Sequence, residues 1–306
     1  MTSRRSVPPV LPALLAFVTA CSGSAADGQR AGQADGSAVA NAADGSAAAS
    51  AVDQDPSLPA GATAAVERLE SSPRHGEWVM IDAGGDSIRA WVVYPERSTP
   101  APVVVVVHEI YGLTHWIRGV ADQLAADGFI AIAPDLMTSH DLPTDENGDP
   151  VREQATTTIR GLDPGVYHPQ LVAIGAWGMA LPAAADRYGI VGFCWGGSAS
   201  FRHAVESGSV DAAVVYYGSS PSPDLLSRVS APVLGLYAGD DERVNSTVPP
   251  ADSAMKQLGK PYEYHMFDGA GHGFLRVQDG RDGANMAATR RAWPRTIEFF
   301  REHLGG

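Results

Sequence analysis

The pentapeptide Gly192-Phe193-Cys194-Trp195-Gly196 places a cysteine between two glycines, directly after the apolar run Gly189-Ile190-Val191. An apolar run that ends in G-x-nucleophile-x-G is typical of the strand-to-helix turn that lifts a nucleophile above a sheet, and the glycines permit its tight backbone. A nucleophilic cysteine in such a turn would carry out covalent acyl transfer. Because free cysteine is also often buried, the pentapeptide alone is equally consistent with a structural thiol in a glycine-rich turn.

Two residues downstream of Cys194 could complete a catalytic triad. Asp241 comes next and His272 follows it, which is the nucleophile, acid, histidine order of α/β-hydrolases. The histidine would accept the thiol proton and later return a proton to the leaving group, while the aspartate would hold the imidazole in one tautomer. Asp240 competes for the acid role. Asp241 is preferred because Asp-x-x-Val, from Asp241 to Val244, is the usual pattern at this position.

The oxyanion formed during acyl transfer needs hydrogen-bond donors, which backbone N–H groups can supply. We assign this role to the N–H of Trp195, next after the nucleophile, and to that of Ile110, in the loop after a valine-rich run. A helix starting at Trp195 would also bring a positive dipole end to the cysteine, which attacks as the thiolate.

These residues need a scaffold, and the apolar runs of the chain indicate a sheet. Runs at 79–81 and 88–94 flank a turn-forming segment, which predicts an antiparallel hairpin. Six unbroken apolar runs, typical of strands buried on both faces, follow at residues 102–107, 129–133, 188–191, 212–217, 233–237 and 262–267. Helices are predicted over residues 117–126, 170–185, 198–206, 253–258 and 284–304. The alternation predicts an α/β fold with a mostly parallel, doubly wound sheet and helices on both faces.

Ligands in such a sheet bind at the carboxyl ends of the strands. Glu109, Cys194, the pair Asp240-Asp241 and His272 each follow a different predicted strand, so they should meet at one edge. For Glu109 a solvated charge at a strand end remains an alternative. Residues 139–163 form a long polar connection of the kind that often covers an active site.

The first sixty residues differ in composition from the rest. Arg4 and Arg5 precede a short apolar stretch, and Val18-Thr19-Ala20-Cys21 resembles a bacterial lipobox. The stretch is too short to span a bilayer. We therefore expect a lipoprotein signal peptide over 1–20, a lipid anchor on Cys21, a disordered tether rich in Ala, Gly, Ser and Asp over 21–60, and a catalytic domain over 61–306. The protein would be exported and associate with a membrane through the lipid alone, in the periplasm or at the cell surface.

Charge and cysteine content argue against several other classes of protein. The formal net charge is −13, and no basic cluster interrupts it, which argues against nucleic-acid binding. If Cys21 is lipidated, Cys194 is the sole remaining thiol and has no partner for an intramolecular disulfide. His108-Glu109 is not followed by the second histidine of a H-E-x-x-H zinc site, because Gly112 stands there. We expect no metal and no cofactor.

Taken together, the motifs resemble those of the dienelactone hydrolase family over about residues 77–304. The segments that carry the resemblance are His108-Glu109-Ile110-Tyr111-Gly112, Pro134-Asp135-Leu136, Gly192-Phe193-Cys194-Trp195-Gly196-Gly197, Gly239-Asp240-Asp241 and Gly271-His272-Gly273-Phe274. The resemblance implies that Glu109 lies beside Cys194 and takes its proton when substrate binds. It also implies that two arginines, matching Arg152 and Arg276, bind the substrate carboxylate, although a surface charge is nearly as good an interpretation of Arg152.

The expected activity is hydrolysis of a small carboxylated lactone or enol ester through a cysteine thioester, most like carboxymethylenebutenolidase, by a monomer. Export sets the chain apart from the cytoplasmic members of the family that degrade aromatic compounds, so its ester or lactone could differ from theirs. Two alternatives remain: a broad carboxylesterase or thioesterase with the same triad, and a surface lipoprotein that binds a ligand without turnover.

Overall fold

A computed structural model describes residues 55–305 of the chain. The predicted signal peptide, the lipid-anchor residue Cys21 and the tether up to residue 54 lie outside the described residues. Leu58, which the sequence assigns to the tether, is buried in the hydrophobic core. The folded body therefore begins before residue 61.

One eight-stranded sheet, in the order β1-β2-β4-β3-β5-β6-β7-β8, forms the centre of the fold. Its strands are β1 Gly76–Asp82, β2 Ser87–Val93, β3 Ala101–Val107, β4 Ile130–Pro134, β5 Ala184–Phe193, β6 Ala212–Tyr216, β7 Val233–Ala238 and β8 Tyr262–Phe267. The hairpin β1-β2 joins β4 in antiparallel fashion, and every pair from β4 to β8 is parallel. The predicted hairpin and the mostly parallel sheet are confirmed.

Eight α-helices accompany the sheet within residues 55–305. They are α1 Ala65–Glu70, α2 His115–Ala126, α3 Arg152–Arg160, α4 Pro164–Met179, α5 Trp195–Glu206, α6 Glu242–Asn245, α7 Val248–Gln257 and α8 Ala284–Leu304. Helices α2 and α8 pack on one face of the sheet, and α4, α5 and α7 pack on the other. None of the helices in this part of the chain is long and apolar enough to cross a membrane.

The valine run of β3 shows why unbroken apolar strands predict this arrangement. All seven of its residues are buried. Val104 and Val106 belong to the core under α2 and α8, whereas Val103, Val105 and Val107 belong to the core on the opposite face. Successive side chains of a strand point to opposite faces, so a strand between two helix layers must be apolar at every position.

The helix predicted over residues 170–185 was wrong in its bounds. The observed helix α4 starts at Pro164 and ends at Met179, and β5 already begins at Ala184. Asp163 caps the helix by accepting a hydrogen bond from the Gly165 N–H at 2.8 Å, and Pro164 occupies the first turn, where a missing N–H costs nothing. Pro169 lies inside the helix and made its first turn look like a loop in the sequence.

The polar connection over residues 139–163 has more structure than the sequence indicated. It contains α3, and Ala155 and Ile159, one helical turn apart, are fully buried against Met137. Two apolar positions in an otherwise polar segment are a weak helical pattern, so α3 was not predicted. The segment nevertheless brings Arg152, the first residue of α3, toward the carboxyl edge of the sheet.

Candidate active site

Cys194 occupies the sharp turn between β5 and α5. Its backbone has φ 55° and ψ −113°, a left-handed conformation that is strained for a residue with a side chain. The neighbouring glycines allow the turn to form. A Cβ added at Gly192 would lie 1.9 Å from the carbonyl oxygen of Gly196, and one at Gly196 would lie 2.4 Å from the carbonyl oxygen of Val107. The structure therefore presents the cysteine as the sequence predicted.

Asp241 and His272 meet above the sheet although 31 residues separate them. His272 Nδ1 lies 2.5 Å from Asp241 Oδ2, and the aspartate is buried while the imidazole is about one-third exposed. Asp240 points elsewhere, to Arg281 at 3.0 Å, and both of those side chains are half-exposed. The geometry favours Asp241 as the partner of the histidine.

The thiol of Cys194 is held neutral in this structure. Burial, and after it the nearby Glu109 carboxylate, raise its pKa to about 11, although the Trp195 backbone N–H acts in the opposite direction. No hydrogen bond joins the sulfur to His272 within residues 55–305. The positive helix end at Trp195 thus does not lower the pKa of the thiol enough to offset burial. The thiolate expected from the sequence can form only if the surroundings of Cys194 change.

Glu109 lies in the loop directly after β3 and is buried. Burial raises its pKa to about 7, although the positive charges of Arg276 and Arg152 lower it. Arg276 Nε approaches Glu109 Oε1 to 2.7 Å, but the two atoms are not aligned as a hydrogen bond. Glu109 is therefore a buried carboxylate beside the thiol, not the solvated charge that was its alternative interpretation.

His108 fixes the loop that carries Glu109. Its Nδ1 lies 3.0 Å from the Glu109 carbonyl oxygen, and its Nε2 lies 3.3 Å from the Leu136 backbone N–H. These partners require a neutral imidazole with the proton on Nδ1, and burial lowers the pKa of His108 accordingly. Its ring also stacks on Trp195 at 6.0 Å, which links the loop to the turn at Cys194.

The two candidate oxyanion donors are the backbone N–H groups of Ile110 and Trp195, the second of which also lies close to the Cys194 sulfur. Neither the Ile110 nor the Trp195 N–H donates to another backbone oxygen in the described part of the chain. Ile110 follows Glu109, and Trp195 begins α5, where the first N–H groups of a helix have no partner within the helix. Both groups could therefore bind an oxyanion at the carboxyl edge of the sheet.

The two predicted carboxylate-binding arginines are brought together around Tyr111. The guanidinium of Arg152 lies 4.8 Å from the Tyr111 ring centre, and that of Arg276 lies 5.0 Å from it. Both arginines also line one cavity of about 430 Å³. The tyrosine, which the sequence did not single out, holds the two cations in one place.

Tyr217 is a second residue that sequence reasoning missed. It directly follows β6, at a φ of 39°, and its buried hydroxyl has no hydrogen-bond partner among residues 55–305. Burial and the neighbouring Glu109 and Cys194 groups raise its pKa well above the ordinary value. Its ring packs at 5.2 Å from that of His272. Tyr217 is thus a buried, unpartnered hydroxyl close to Glu109 and Cys194, and no motif marks it in the sequence.

Across the described residues there is no group of three or more His, Cys, Asp or Glu side chains placed to hold a metal ion.

Comparison with known proteins agrees with the site. Residues 88–304 match the model of the dienelactone hydrolase family. A Salmonella typhi protein named "Putative carboxymethylenebutenolidase" is 32% identical over 270 residues, covering 81% of this chain and 97% of that protein. A Bradyrhizobium protein named "Probable 2-oxo-3-(5-oxofuran-2-ylidene)propanoate lactonase" is 29% identical over 248 residues, covering 75% of this chain and 95% of that protein.

A solved structure from Klebsiella pneumoniae, titled "Putative Dienelactone Hydrolase", superposes with a TM-score of 0.66 at 26% identity, covering 75% of this chain and 99% of that chain. The sheet order, the cysteine turn and these similarities agree. The fold is that of an α/β-hydrolase, and the chain belongs to the dienelactone hydrolase family as a carboxylic ester hydrolase that resembles carboxymethylenebutenolidase.

Proposed function

We propose that the protein opens a small carboxylated lactone or enol ester of the dienelactone type through a thioester on Cys194. The observation that carries this proposal is the contact of 2.7 Å between Arg276 and the buried Glu109, beside a neutral thiol. An arginine that neutralises a buried carboxylate is also a binding group for a substrate carboxylate. The names of two relatives, a carboxymethylenebutenolidase and a propanoate lactonase, concern lactones that bear a carboxylate.

Substrate binding would activate the thiol. When the substrate carboxylate pairs with Arg276 and Arg152, the pull of these cations on Glu109 weakens and its pKa rises. Glu109 then takes the proton of Cys194, and the thiolate attacks the lactone carbonyl carbon. The N–H groups of Ile110 and Trp195 would bind the resulting oxyanion.

His272 and Asp241 would serve the second half of the reaction. Collapse of the tetrahedral intermediate breaks the ring C–O bond, leaves the acyl group on sulfur and expels the ring oxygen with its electron pair; this oxygen would take up the proton held by Glu109, which restores the carboxylate. His272, oriented by Asp241 at 2.5 Å, would remove a proton from water as the water attacks the thioester, and it would return that proton to the sulfur as the acid leaves.

Hydrolysis of dienelactone and of uncharged p-nitrophenyl acetate tests this proposal in the full chain. Cys194→Ala should reduce turnover of both substrates by at least about 10³-fold, because the nucleophile is gone. Intact-mass analysis of rapidly quenched wild-type protein should detect the acyl adduct, and Cys194→Ala should lack it. Full activity in Cys194→Ala would overturn the mechanism.

Arg276→Ala separates the proposed activity from a broad esterase. A lactonase that recognises the substrate carboxylate should lose its preference for dienelactone with this substitution. A broad esterase should hydrolyse both substrates as before. Binding of dienelactone with no turnover of either substrate would instead support the binding-lipoprotein alternative.

We also propose that the enzyme is exported and held at a membrane by a lipid on Cys21. The support is the order of Arg4 and Arg5, the apolar stretch and the lipobox-like Val18-Thr19-Ala20-Cys21. Cells fed radiolabelled palmitate should label the wild-type chain but not Cys21→Ala. Equal labelling of both chains would contradict the assignment.

A further inference from the structure

The segment 55–66 lies before the residues matched by the family model, yet it packs on the loop that carries Arg276. The Ala62 N–H donates to the Arg276 carbonyl oxygen at 2.8 Å. Gln278 Nε2 donates to the Pro59 carbonyl oxygen at 2.7 Å and to that of Leu275 at 3.1 Å. Gln278 is itself buried, so both of these hydrogen bonds are shielded from water.

This contact holds the backbone of Arg276, from which the arginine side chain extends. The Arg276 N–H donates to the Gly273 carbonyl oxygen at 2.9 Å, and its own carbonyl oxygen is bound by Ala62. A Cβ added at Gly61 would lie 3.4 Å from that same oxygen, so the two backbones are packed closely. Leu58, buried in the core, anchors the segment at its other end.

The same segment forms one wall of the cavity of about 430 Å³ that contains Arg152 and Arg276. Ala62, Thr63 and Val66 line it on the side of the segment. A cavity of this volume falls within the range of small-molecule binding sites.

Among the charged groups that line this cavity, Arg152 is available for an anion, whereas Arg276 is paired with Glu109. His115 Nδ1 lies 2.6 Å from Asp149, and Asp145 accepts the backbone N–H groups of its own loop. Asp279 is the remaining acidic group of the lining. Arg276 has Glu109 as its ion-pair partner, and Arg152 makes no salt bridge within residues 55–305.

We propose that the segment 55–66 belongs to the substrate-recognition machinery: it positions Arg276 through Ala62 and Gln278, and it forms one wall of the cavity that Arg152 and Arg276 line. The inference rests on the proposed function, because it assumes that Arg276 binds the substrate carboxylate. The residues involved act as positioning residues through Arg276 and do not touch the reacting atoms.

Steady-state kinetics on the full chain test this inference with dienelactone and p-nitrophenyl acetate. Gln278→Met keeps the side-chain length but removes the donor to Pro59, and it should raise KM for dienelactone about tenfold while kcat and the constants for p-nitrophenyl acetate change by less than about twofold. Val66→Trp should raise KM for dienelactone by intruding into the cavity that contains Arg152 and Arg276. Glu67→Trp is the matched control, since Glu67 is the next residue of α1, is exposed and does not line the cavity.

Arg276→Ala, measured beside these variants, separates the two proposals. If it leaves KM for dienelactone unchanged, the proposed carboxylate recognition fails. If it raises KM while Gln278→Met and Val66→Trp do not, only the role of the segment is overturned. Equal losses for both substrates in Gln278→Met, accompanied by a lower Tm, would also overturn it, because they would show a role in folding alone.

Discussion

At the scale of single residues, the carboxyl groups of Asp240, Asp241 and Glu109 suit different tasks because their surroundings differ. Asp241 is buried against His272, Asp240 is half-exposed beside Arg281, and Glu109 is buried beside the thiol and Arg276. The proposed mechanism requires a fixed anion at Asp241 and a proton acceptor at Glu109, and the two environments suit those different tasks.

Adjacent aspartates give a direct test of the triad assignment. Asp241→Asn should lower kcat by about 10³ to 10⁴, because an amide no longer fixes the His272 tautomer or supports its charge. Asp240→Asn should leave kcat within about twofold, since its ion pair with Arg281 is exposed. Hydrolysis of p-nitrophenyl acetate measures both. Equal losses in the two variants would reject Asp241 as the specific partner.

Substitution of Glu109 should have opposite effects on thiol reactivity and on turnover. Above pH 7 Glu109 is mostly ionised, and its charge raises the pKa of Cys194. Glu109→Gln should therefore speed alkylation of the thiol by uncharged iodoacetamide at pH 8, because more thiolate is present. Dienelactone turnover should nevertheless fall about 100-fold, because the proton acceptor is lost.

Glu242→Gln, at an exposed position of α6, is the control for this pair of measurements and should change neither. Slower alkylation in Glu109→Gln, or unchanged turnover, would contradict the role assigned to Glu109.

At the scale of elements, the turn between β5 and α5 depends on close backbone contacts. The Cβ of any residue at Gly196 would meet the carbonyl oxygens of Val107 and His108, both at 2.4 Å. These oxygens end β3 and begin the loop of Glu109, so the cysteine turn and the glutamate loop must pack together without a side chain between them.

Gly196→Ala should consequently lower the free energy of unfolding by about 1–3 kcal/mol and reduce activity as well, since the added methyl group pushes the loop of Glu109 away. Gly208→Ala is the matched control: its Cβ would meet nothing within 4 Å, and its effect should stay within about 0.5 kcal/mol. Urea denaturation measures both variants. A Gly196→Ala protein as stable and active as the wild type would show that the backbone contact can relax.

At the scale of the whole molecule, the stability of the fold should depend on two imidazoles buried between α4 and α5. His168 and His203 stack at 5.7 Å. Burial lowers the pKa of His168 to about 4 and that of His203 to about 3, with Glu206 opposing and Arg202 reinforcing the effect at His168. Tyr188 binds His203 Nε2 at 3.1 Å, whereas neither ring nitrogen of His168 has a partner within residues 55–305.

Acid should therefore destabilise the fold through these groups. Below pH 6.5 the unfolded chain binds protons that the folded imidazoles exclude, so the free energy of unfolding falls as the pH drops, by about 1.4 kcal/mol per pH unit for each imidazole. His168→Leu should make this fall shallower between pH 6 and 4.5, as measured by urea denaturation. His75→Leu is the control: its side chain is 70% exposed, so it should keep the wild-type dependence of the free energy of unfolding on pH. An unchanged pH dependence in His168→Leu would contradict the interpretation.

Much of the fold could be predicted because its elements have local patterns. The strand β8 and the helix α8 have the predicted bounds, and β3 differs from its apolar run by one residue. The errors fall where the local pattern is ambiguous. Pro169 hid the first turns of α4, and the two buried positions of α3 are too few to outweigh its polar residues. Helix α1 was also not predicted, because it has only six residues and buries only Ala65.

The sequence by itself determined the family, the fold class and the residues able to do chemistry, because the cysteine turn, the strand-end acids and the histidine are each set by neighbouring residues. The tertiary structure alone decided which of these residues meet. It separated Asp241 from Asp240, paired Glu109 with Arg276, buried Tyr217 beside them and placed the segment 55–66 against the arginine loop. Such contacts join residues far apart in the chain, and burial, which sets the pKa values of Cys194 and Glu109, exists only once the sheet and its helices have packed.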